Sequence, residues 1–162
     1  MKLGMFTSCL HDRDIDGVLD VAVDHGMTSL ELNSGGFFPA YHLHPEALLV
    51  SQHARDEFLA RLAAKGQTLT ALNNSGNPLH PDREVGPRHA EELRRAIDLA
   101  SLLGVPVVVA QSGAPGAEPV STVPSWVVSP WDSAYSDVLD YQWGLAVPFW
   151  RDVRIAFSVG AA

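Results

Sequence analysis

Residues 105–116, Val-Pro-Val-Val-Val-Ala-Gln-Ser-Gly-Ala-Pro-Gly, decide the fold class of this chain. Their apolar, largely β-branched first half predicts a strand that is buried on both faces. The stretch follows a long amphipathic helix pattern and leads into a loop of Ser, Gly and Pro. A helix, a buried strand and then a polar loop are typical of a parallel α/β fold, in which functional loops follow the strands.

The same strand–helix unit is predicted four times along the chain. The strands are expected to start near Lys2, Thr28, Gln67 and Val105. Each of the first three helices ends at a glycine, Gly26, Gly66 or Gly104, and a strand follows at once. This weak repetition predicts parallel strands joined by helical crossovers.

The expected boundaries follow from hydrophobic periodicity and capping residues. Strands are predicted over residues 2–9, 28–33 and 68–73, and helices over residues 56–65 and from residue 86 or 87 to residue 103. Asp14 is the predicted N-cap of the first helix. Residues 34–45 are predicted to form a long aromatic loop, and residues 74–81 the loop that follows the third strand.

The C-terminal part of the chain does not continue the strand–helix repeat. Residues 117–141, rich in Pro, Ser and Trp, are predicted to form a long loop. Residues 143–157 are predicted to be helical, with Pro148 forcing a start or a kink. A fifth strand should begin at Ser158.

Composition limits the function classes. The chain has 162 residues and a formal net charge of −8, which argues against nucleic acid or an anionic membrane as the main partner. The lone cysteine, Cys9, excludes an internal disulfide and fits a reducing compartment. No apolar run approaches the ~20 residues of a membrane span, and no signal peptide is evident, so we expect a cytoplasmic protein.

Polar residues at the strand ends are the candidate site residues, because ligands bind at the C-terminal ends of parallel strands. Leu30 and Leu32 alternate with Glu31 and Asn33. If the leucines face the helices of a barrel, Glu31 lies in the lumen near its mouth, as a general base or a substrate-hydroxyl acceptor. The alternative is a solvated or ion-paired acid.

Two later loops add further candidates. His80, near Asn74 and Asn77, could transfer protons or bind a substrate hydroxyl, or could be an ordinary loop histidine. Gln111 and Ser112 end the fourth strand, where Gln111 could contact a sugar or polyol and the glycines could instead form a plain turn. No dinucleotide fingerprint, nucleophile elbow or zinc motif is present.

Three weaker signals favour packing over chemistry. His42 and His44 lack a third ligand at a suitable spacing for zinc. Cys9 at a strand end is more typical of packing than of a nucleophile. The four tryptophans could line a lid, but core and loop packing explain them equally well.

Several segments together resemble the xylose isomerase-like TIM barrels, a family of sugar phosphate isomerases and epimerases. These segments are residues 2–7, 29–33, 77–81, 100–109 and 112–116, and the helix around residues 143–151 is similar to the fourth helix of the sugar-handling members. The resemblance covers nearly the whole chain to about Phe157.

The resemblance implies a (β/α)8 barrel, a divalent metal such as Mn, Mg or Zn, and proton transfer beside a sugar carbonyl. It matches Glu31, His80 and Gln111 to half-site positions with substrate-contact or orientation roles. We predict catalytic roles for Glu31 and His80 and substrate binding by Asn33, Asn74, Gln111 and Ser112. The family's metal ligands come mostly from strands five to eight, so this chain alone is not expected to bind a metal tightly.

Length agrees with half of such a barrel. Four units in about 157 residues average about 39 residues each, so eight units would need about 310, which is within the range of TIM barrels. We therefore expect a truncated barrel over residues 1–157 and a tail, residues 158–162, that departs from the family and suggests truncation or a frameshift.

Three hypotheses of different classes follow. The chain is the N-terminal half of a metal-dependent sugar or polyol isomerase/epimerase in carbohydrate metabolism, or an inert binding fragment that self-associates through exposed strand edges. The third is an unrelated doubly wound α/β domain, which predicts the strand order 2-1-3-4.

Overall fold

The computed structural model describes residues 3–131 and 133–160. The predicted positions Lys2, Ala161 and Ala162 lie outside the described residues. The chain divides into two compact units, Met1–Ser75 with Arg95–Ala110 and Gly76–Arg94 with Gln111–Ala162. None of the described helices is long and apolar enough to span a membrane.

The first unit contains a four-stranded parallel sheet in the order β1-β2-β3-β4. The strands are β1 Gly4–Phe6, β2 Ser29–Gly36, β3 Thr68–Ser75 and β4 Val108–Ala110. The helices are α1 Ile15–Asp24, α2 Pro45–Val50, α3 Gln52–Ala64, α4 Val85–Leu103 and α5 Ala134–Gly160. The sequential strand order rules out the doubly wound alternative, which requires 2-1-3-4.

Helix ends follow the predicted capping chemistry. The Asp14 carboxylate accepts a 2.8 Å hydrogen bond from the Gly17 N–H, which confirms Asp14 as the N-cap of α1. Gly26, Gly66 and Gly104 have φ angles of 66°, 68° and 67° and follow α1, α3 and α4. Only glycine adopts these left-handed angles without steric cost, so each helix stops there.

The core of the first unit joins the sheet to its helices. It consists of Leu19, Ala22, Leu30, Leu32, Leu43, Leu48, Leu62, Leu69, Leu72, Leu99, Ala100, Leu103 and Val105. On the surface, Arg61 and Lys65 of α3 pair with Asp16 and Asp20 of α1, at 2.5 and 2.7 Å. Because these pairs are exposed, burial of the leucines is the larger stabilising term.

The prediction of a first strand over residues 2–9 was too long. The strand ends at Phe6, and Thr7–Leu10 forms a 3₁₀ helix. The buried His42 ring holds this helix through Nδ1 to Thr7 Oγ1 at 2.9 Å and Nε2 to the Leu10 carbonyl at 3.1 Å. A side chain from a distant loop thus overrides the local strand preference.

The prediction that the fourth strand is buried on both faces was wrong. Only Val108–Ala110 is extended in the sheet, and Val107 and Val109 are 46% and 37% exposed. Within the described chain β4 pairs with β3 alone. Pro106 lacks an N–H group and cannot extend the ladder, which shortens the strand.

The loop predicted over residues 34–45 is also shorter than expected. Strand β2 continues to Gly36, and residues 45–50 form the unpredicted helix α2. Helix α3 begins at Gln52 because Ser51 Oγ accepts a 3.2 Å hydrogen bond from the Ala54 N–H, four residues before the predicted start.

Helix α5 corrects three C-terminal predictions. It begins at Ala134, so the last part of the loop predicted over residues 117–141 is helical. Asp137 in its first turn complements the helix dipole. Pro148 lies inside the helix and so does not mark its start, and the kink predicted as the alternative stays a prediction. The helix runs to Gly160, where a fifth strand had been expected.

Candidate active site

Glu31 lies on β2 with its neighbours alternating as predicted. Leu30 and Leu32 are buried in the core, and Glu31 is half-buried outside it. In register, Glu31 is opposite Ala71 of β3, and Asn33 is opposite Asn73. Glu31 is the third of the eight residues of β2 and is level with Phe6, the last residue of β1, while Asn73 is near the C-terminal end of β3. The sheet therefore presents a carboxylate and an amide from neighbouring parallel strands.

A short chain of hydrogen bonds fixes the Glu31 carboxylate. Asn73 Nδ2 donates to Glu31 Oε1 at 2.7 Å, and Ser75 Oγ donates to Asn73 Oδ1 at 2.6 Å. Glu31 makes no other hydrogen bond to a described residue, so Oε2 is left for a ligand or water. The arrangement can orient one carboxylate oxygen while the other accepts a proton or a hydroxyl group.

Two β-bulges make this arrangement possible. Thr70 is the extra residue on β3, and its Oγ1 donates to the Leu30 carbonyl at 3.1 Å. Ser34 is the extra residue on β2, and its Oγ donates to the Asn73 carbonyl at 3.0 Å. Bulges re-aim side chains near functional sites, and here each bulged hydroxyl bonds to the partner strand.

Asn73 is a site residue that the sequence pattern does not reveal, because of the first bulge. Strict alternation places Asn73 on the same face as Leu69, which is a core residue. The bulge at Thr70 shifts the parity, so that Leu72 faces the core and Asn73 faces Glu31. No feature of the sequence marks Thr70 as a bulge, because Thr70 continues the polar–apolar alternation of residues 68–71.

The predicted substrate residue Asn33 supports a loop. Its Nδ2 donates to the carbonyls of Phe38 and Pro39 at 2.7 and 3.0 Å, and more weakly to Gly35. Its Oδ1 is buried without a hydrogen-bond partner among the described residues. The amide nitrogen is therefore committed to the aromatic loop, and only the oxygen could serve a ligand.

Asn74 is buried at the end of the sheet. Its backbone is in register with Gly35 on one side and Ala110 on the other, and its side chain is 2% exposed. Its predicted contact with substrate stays a prediction.

His80 belongs to the second unit. Its Nδ1 accepts a 3.0 Å hydrogen bond from the Asp82 N–H, so the neutral ring carries its proton on Nε2. The Asp82 carboxylate in turn accepts hydrogen bonds from the N–H groups of Val85 and Glu84 at 3.0 and 2.9 Å. These backbone donors, with a smaller contribution from His80, lower the pKa of Asp82.

Asn77 links two loops of the second unit. Its Nδ2 donates to the Ala114 carbonyl at 2.9 Å, while its Oδ1 accepts from the N–H groups of Ala114 and Leu79 at 2.9 and 3.2 Å. Its own N–H donates to His89 Nδ1 at 3.0 Å. Every polar side-chain atom of Asn77 is used on backbone, which indicates a structural role.

Gln111 and Ser112 are both exposed in the second unit. The Ser112 carbonyl accepts a 2.8 Å hydrogen bond from Trp150 Nε1, which ties this loop to α5. The predicted ligand contacts of both side chains stay predictions, and no geometry joins them to Glu31.

The described residues do not form a metal site. No group of three or more His, Cys, Asp or Glu side chains in residues 3–131 and 133–160 is placed to hold an ion. His42 is buried, and both of its ring nitrogens bond to residues of the N-terminal segment. The donors beside Glu31 are an amide and a hydroxyl, so the residues present do not fit the family's divalent ion by themselves.

No family model matches the sequence. The chain is 39% identical over 154 residues to the uncharacterized protein YfiH of Bacillus subtilis (strain 168). The match covers 93% of this chain and 49% of the relative, so the chain spans about half the length of the curated relative it matches.

Two solved structures share the fold. A xylose isomerase domain protein from Planctomyces limnophilus matches with a TM-score of 0.53 and 16% identity, covering 98% of this chain and 51% of that one. A candidate sugar phosphate isomerase/epimerase from Anabaena variabilis matches with a TM-score of 0.51 and 13% identity, covering 99% and 52%.

These comparisons, with the sequential parallel sheet, define a half-length xylose isomerase-like α/β fold. The fold predicted from residues 105–116 and from the repeated strand–helix unit is confirmed at this level.

Proposed function

We propose that the chain supplies the N-terminal half of a sugar or polyol isomerase/epimerase site, in which Glu31 acts on the substrate. The observation that carries this proposal is the half-buried Glu31 carboxylate, which is level with the last residue of β1, is oriented by Asn73 near the C-terminal end of β3, and has Oε2 open. In parallel α/β folds this end of the sheet is where ligands bind. The names of the two structural relatives add support for the reaction class.

In this mechanism Glu31 Oε2 accepts a proton from a carbon beside a carbonyl, or holds a substrate hydroxyl. Asn73 keeps the carboxylate from turning away, and Ser75 keeps the Asn73 amide in place. His80, with its proton on Nε2, is proposed to donate a hydrogen bond to the substrate. Asn33, Asn74, Gln111 and Ser112 are proposed to bind substrate hydroxyls.

The metal implied by the family would need ligands other than those described. The residue roles proposed here do not depend on a metal, and we propose that this chain alone does not hold a metal tightly. The same proposal assigns the protein to carbohydrate metabolism in the cytoplasm, where a single free thiol such as Cys9 stays reduced.

The test begins with the gene beyond the codon of Phe157. A downstream frame that encodes a strand ending in Glu, followed by Asp, His and Glu ligands, would support the isomerase hypothesis. The protein encoded by the chain together with that downstream frame is then incubated with Mn²⁺ and a panel of ketoses, aldoses and inososes in D₂O. Proton transfer beside the carbonyl is measured by NMR as loss of that C–H signal.

In that assay, Glu31→Gln should slow exchange by about 100-fold or more, because it removes the base but keeps the side chain's shape. Glu57→Gln is the matched control, since Glu57 is an exposed acid on α3. Equal exchange rates in the wild type and Glu31→Gln would contradict the role of Glu31. If no such frame exists and the chain shows no exchange, the second candidate below is favoured.

The second candidate is an inert binding fragment that self-associates. Within the described chain β1 and β4 each pair on one side only, and Phe6, Val107 and Val109 on or beside them are exposed. A two-fold axis parallel to the strands would place β4 of one copy beside β1 of another, twice and in parallel. A second copy is thus a candidate partner for these edges.

Size-exclusion chromatography with light scattering tests this candidate. We expect a dimer that Val109→Lys converts to monomer, because the substitution puts a charge on the edge strand. Val128→Lys is the control, since Val128 is exposed in a loop of the second unit and belongs to no strand. A stable wild-type monomer would contradict self-association.

A further inference from the structure

A cavity of about 330 Å³ lies within the second unit, and of the residues given a role in the proposed function only His80 lines it. It is walled by the loop at residues 78–81, by the N-terminal half of α4, by α5 and by residues 116–121. Its volume is at the lower end of the range of small-molecule sites, roughly 300–1,000 Å³.

The polar side chains that line this cavity are His80, Arg94, Ser121 and Tyr141. No described Asp or Glu lines it, although the protein carries a formal net charge of −8. His80 has Nδ1 occupied by the Asp82 N–H, so the ring offers Nε2 as a donor. The Tyr141 hydroxyl has no hydrogen bond to a described residue. His80, Arg94 and Tyr141 thus offer donor groups at a cavity that no described carboxylate side chain lines.

Arg94 is held in a position suited to oxyanion binding. Its guanidinium carbon is 5.9 Å from the centre of the Phe149 ring, and Nη2 is 3.2 Å from Asp152 Oδ2. The pair with Asp152 is exposed and therefore weak, and the guanidinium has five N–H donors. A ligand oxyanion can therefore bind the Arg94 guanidinium beside Asp152, or replace Asp152 there, with only a small loss of binding free energy.

Two glycines allow the walls to approach so closely. A Cβ on Gly86 would lie 2.3 Å from the His80 carbonyl oxygen, and one on Gly116 would lie 2.2 Å from Ser121 Cβ. Gln142 Nε2 fastens the same wall by donating to the Ser125 and Gly116 carbonyls at 3.0 and 3.2 Å. The cavity is therefore bounded by backbone that is held in place.

We propose that this cavity binds a small organic oxyanion, with Arg94 as the principal contact and His80 and Tyr141 as further donors. The apolar lining from Leu79, Leu145 and Phe149 receives the compact body of the ligand. Phosphate and carboxylate groups share this chemistry, because both match the paired N–H donors of arginine. The proposal does not depend on Glu31 or on isomerase activity.

The experiment titrates the full chain with inorganic phosphate and separately with acetate, followed by ¹H–¹⁵N NMR at constant ionic strength. We expect saturable amide shifts at residues 79, 80, 94, 141–147 and 149 with at least one probe, since Pro81 and Pro148 have no N–H group. The probe that saturates identifies the group recognised. If neither probe gives saturable shifts at these residues, the proposal is overturned.

Variants then test the contact. Arg94→Gln should weaken binding about tenfold or more, and Tyr141→Phe about twofold to fivefold, because a charge-assisted contact is stronger than a neutral one. Arg88→Gln is the matched control, since Arg88 is exposed on the same helix and does not line the cavity; it should change affinity less than about twofold. Circular dichroism confirms that each variant is folded. Equal weakening by Arg94→Gln and Arg88→Gln would show only a general charge effect and overturn the proposal.

Discussion

Asn73 and Asn77 have the same side chain and nearly the same burial, 7% and 6% exposed, yet they serve different purposes. Asn77 directs both ends of its amide at backbone groups of Leu79 and Ala114. Asn73 directs both ends at side chains, Glu31 and Ser75. The first arrangement stabilises a loop, and the second orients the Glu31 carboxylate.

The difference teaches that burial alone does not distinguish a structural amide from a site amide. The partners do. Backbone partners have no alternative donor or acceptor once they are buried, whereas a half-exposed carboxylate can turn to water. Substitution should therefore affect stability at one asparagine and orientation at the other.

The largest effect is expected for Asn77→Ala. It removes three side-chain hydrogen bonds to part-buried backbone groups of Leu79 and Ala114. We expect a loss of about 3 kcal/mol in the free energy of unfolding, measured by urea denaturation. Gln111→Ala, at an exposed position, is the control and should stay within about 0.5 kcal/mol. A loss at Asn77 no larger than that of the control would remove the structural assignment.

Asn73→Ala should cost less stability, about 1 kcal/mol, because water can solvate the half-exposed Glu31 and Ser75. Its main effect should be a reorientation of Glu31, seen as a change in the ¹³C shift of the Glu31 carboxyl. Asn77→Ala should leave that shift unchanged. If Asn73→Ala costs as much stability as Asn77→Ala, the contrast between the two asparagines fails.

How far the sequence predicts this site depends on alternation. The faces of β2 were predicted because Leu30 and Leu32 alternate with Glu31 without interruption. The face of Asn73 was not predicted, because the extra residue Thr70 reverses which of the following residues of β3 face the core. A bulge is set by pairing with a neighbouring strand, and that pairing is not written in the local pattern.

The fold was predictable for a related reason. Helix ends at Gly26, Gly66 and Gly104 are local features, since a positive φ angle strongly favours glycine. The fourth strand was misjudged because burial is a property of neighbours, and β4 has a strand on one side only among the described residues. Helix α3 begins at Gln52, earlier than predicted, and this start could have been found from its capping residue, Ser51.

Thr70→Val tests whether the bulge hydroxyl supports the site. The substitution keeps a β-branched side chain but removes the hydrogen bond to the Leu30 carbonyl, so we expect a loss of about 1 kcal/mol in urea denaturation. Thr68→Val is the control, because the exposed Thr68 side chain makes no hydrogen bond to a described residue. Equal stabilities of the two variants would show that the strands alone hold the bulge.

The smallest expected effect concerns Asp82, whose acceptor role resembles that of Asn77 but carries a charge. Because hydrogen bonds from Val85 and Glu84 lower the pKa of Asp82, its contribution is present above the unfolded value, about 3.9, and is lost as pH falls through the lower folded value. Asp82→Asn keeps a capping oxygen but cannot titrate, so its urea midpoint should fall less than that of the wild type below about pH 4. Asp98→Asn, at an exposed position on α4, should follow the wild-type curve. If the urea midpoints of Asp82→Asn and the wild type fall equally as the pH falls, the cap acts through its shape and not through its charge.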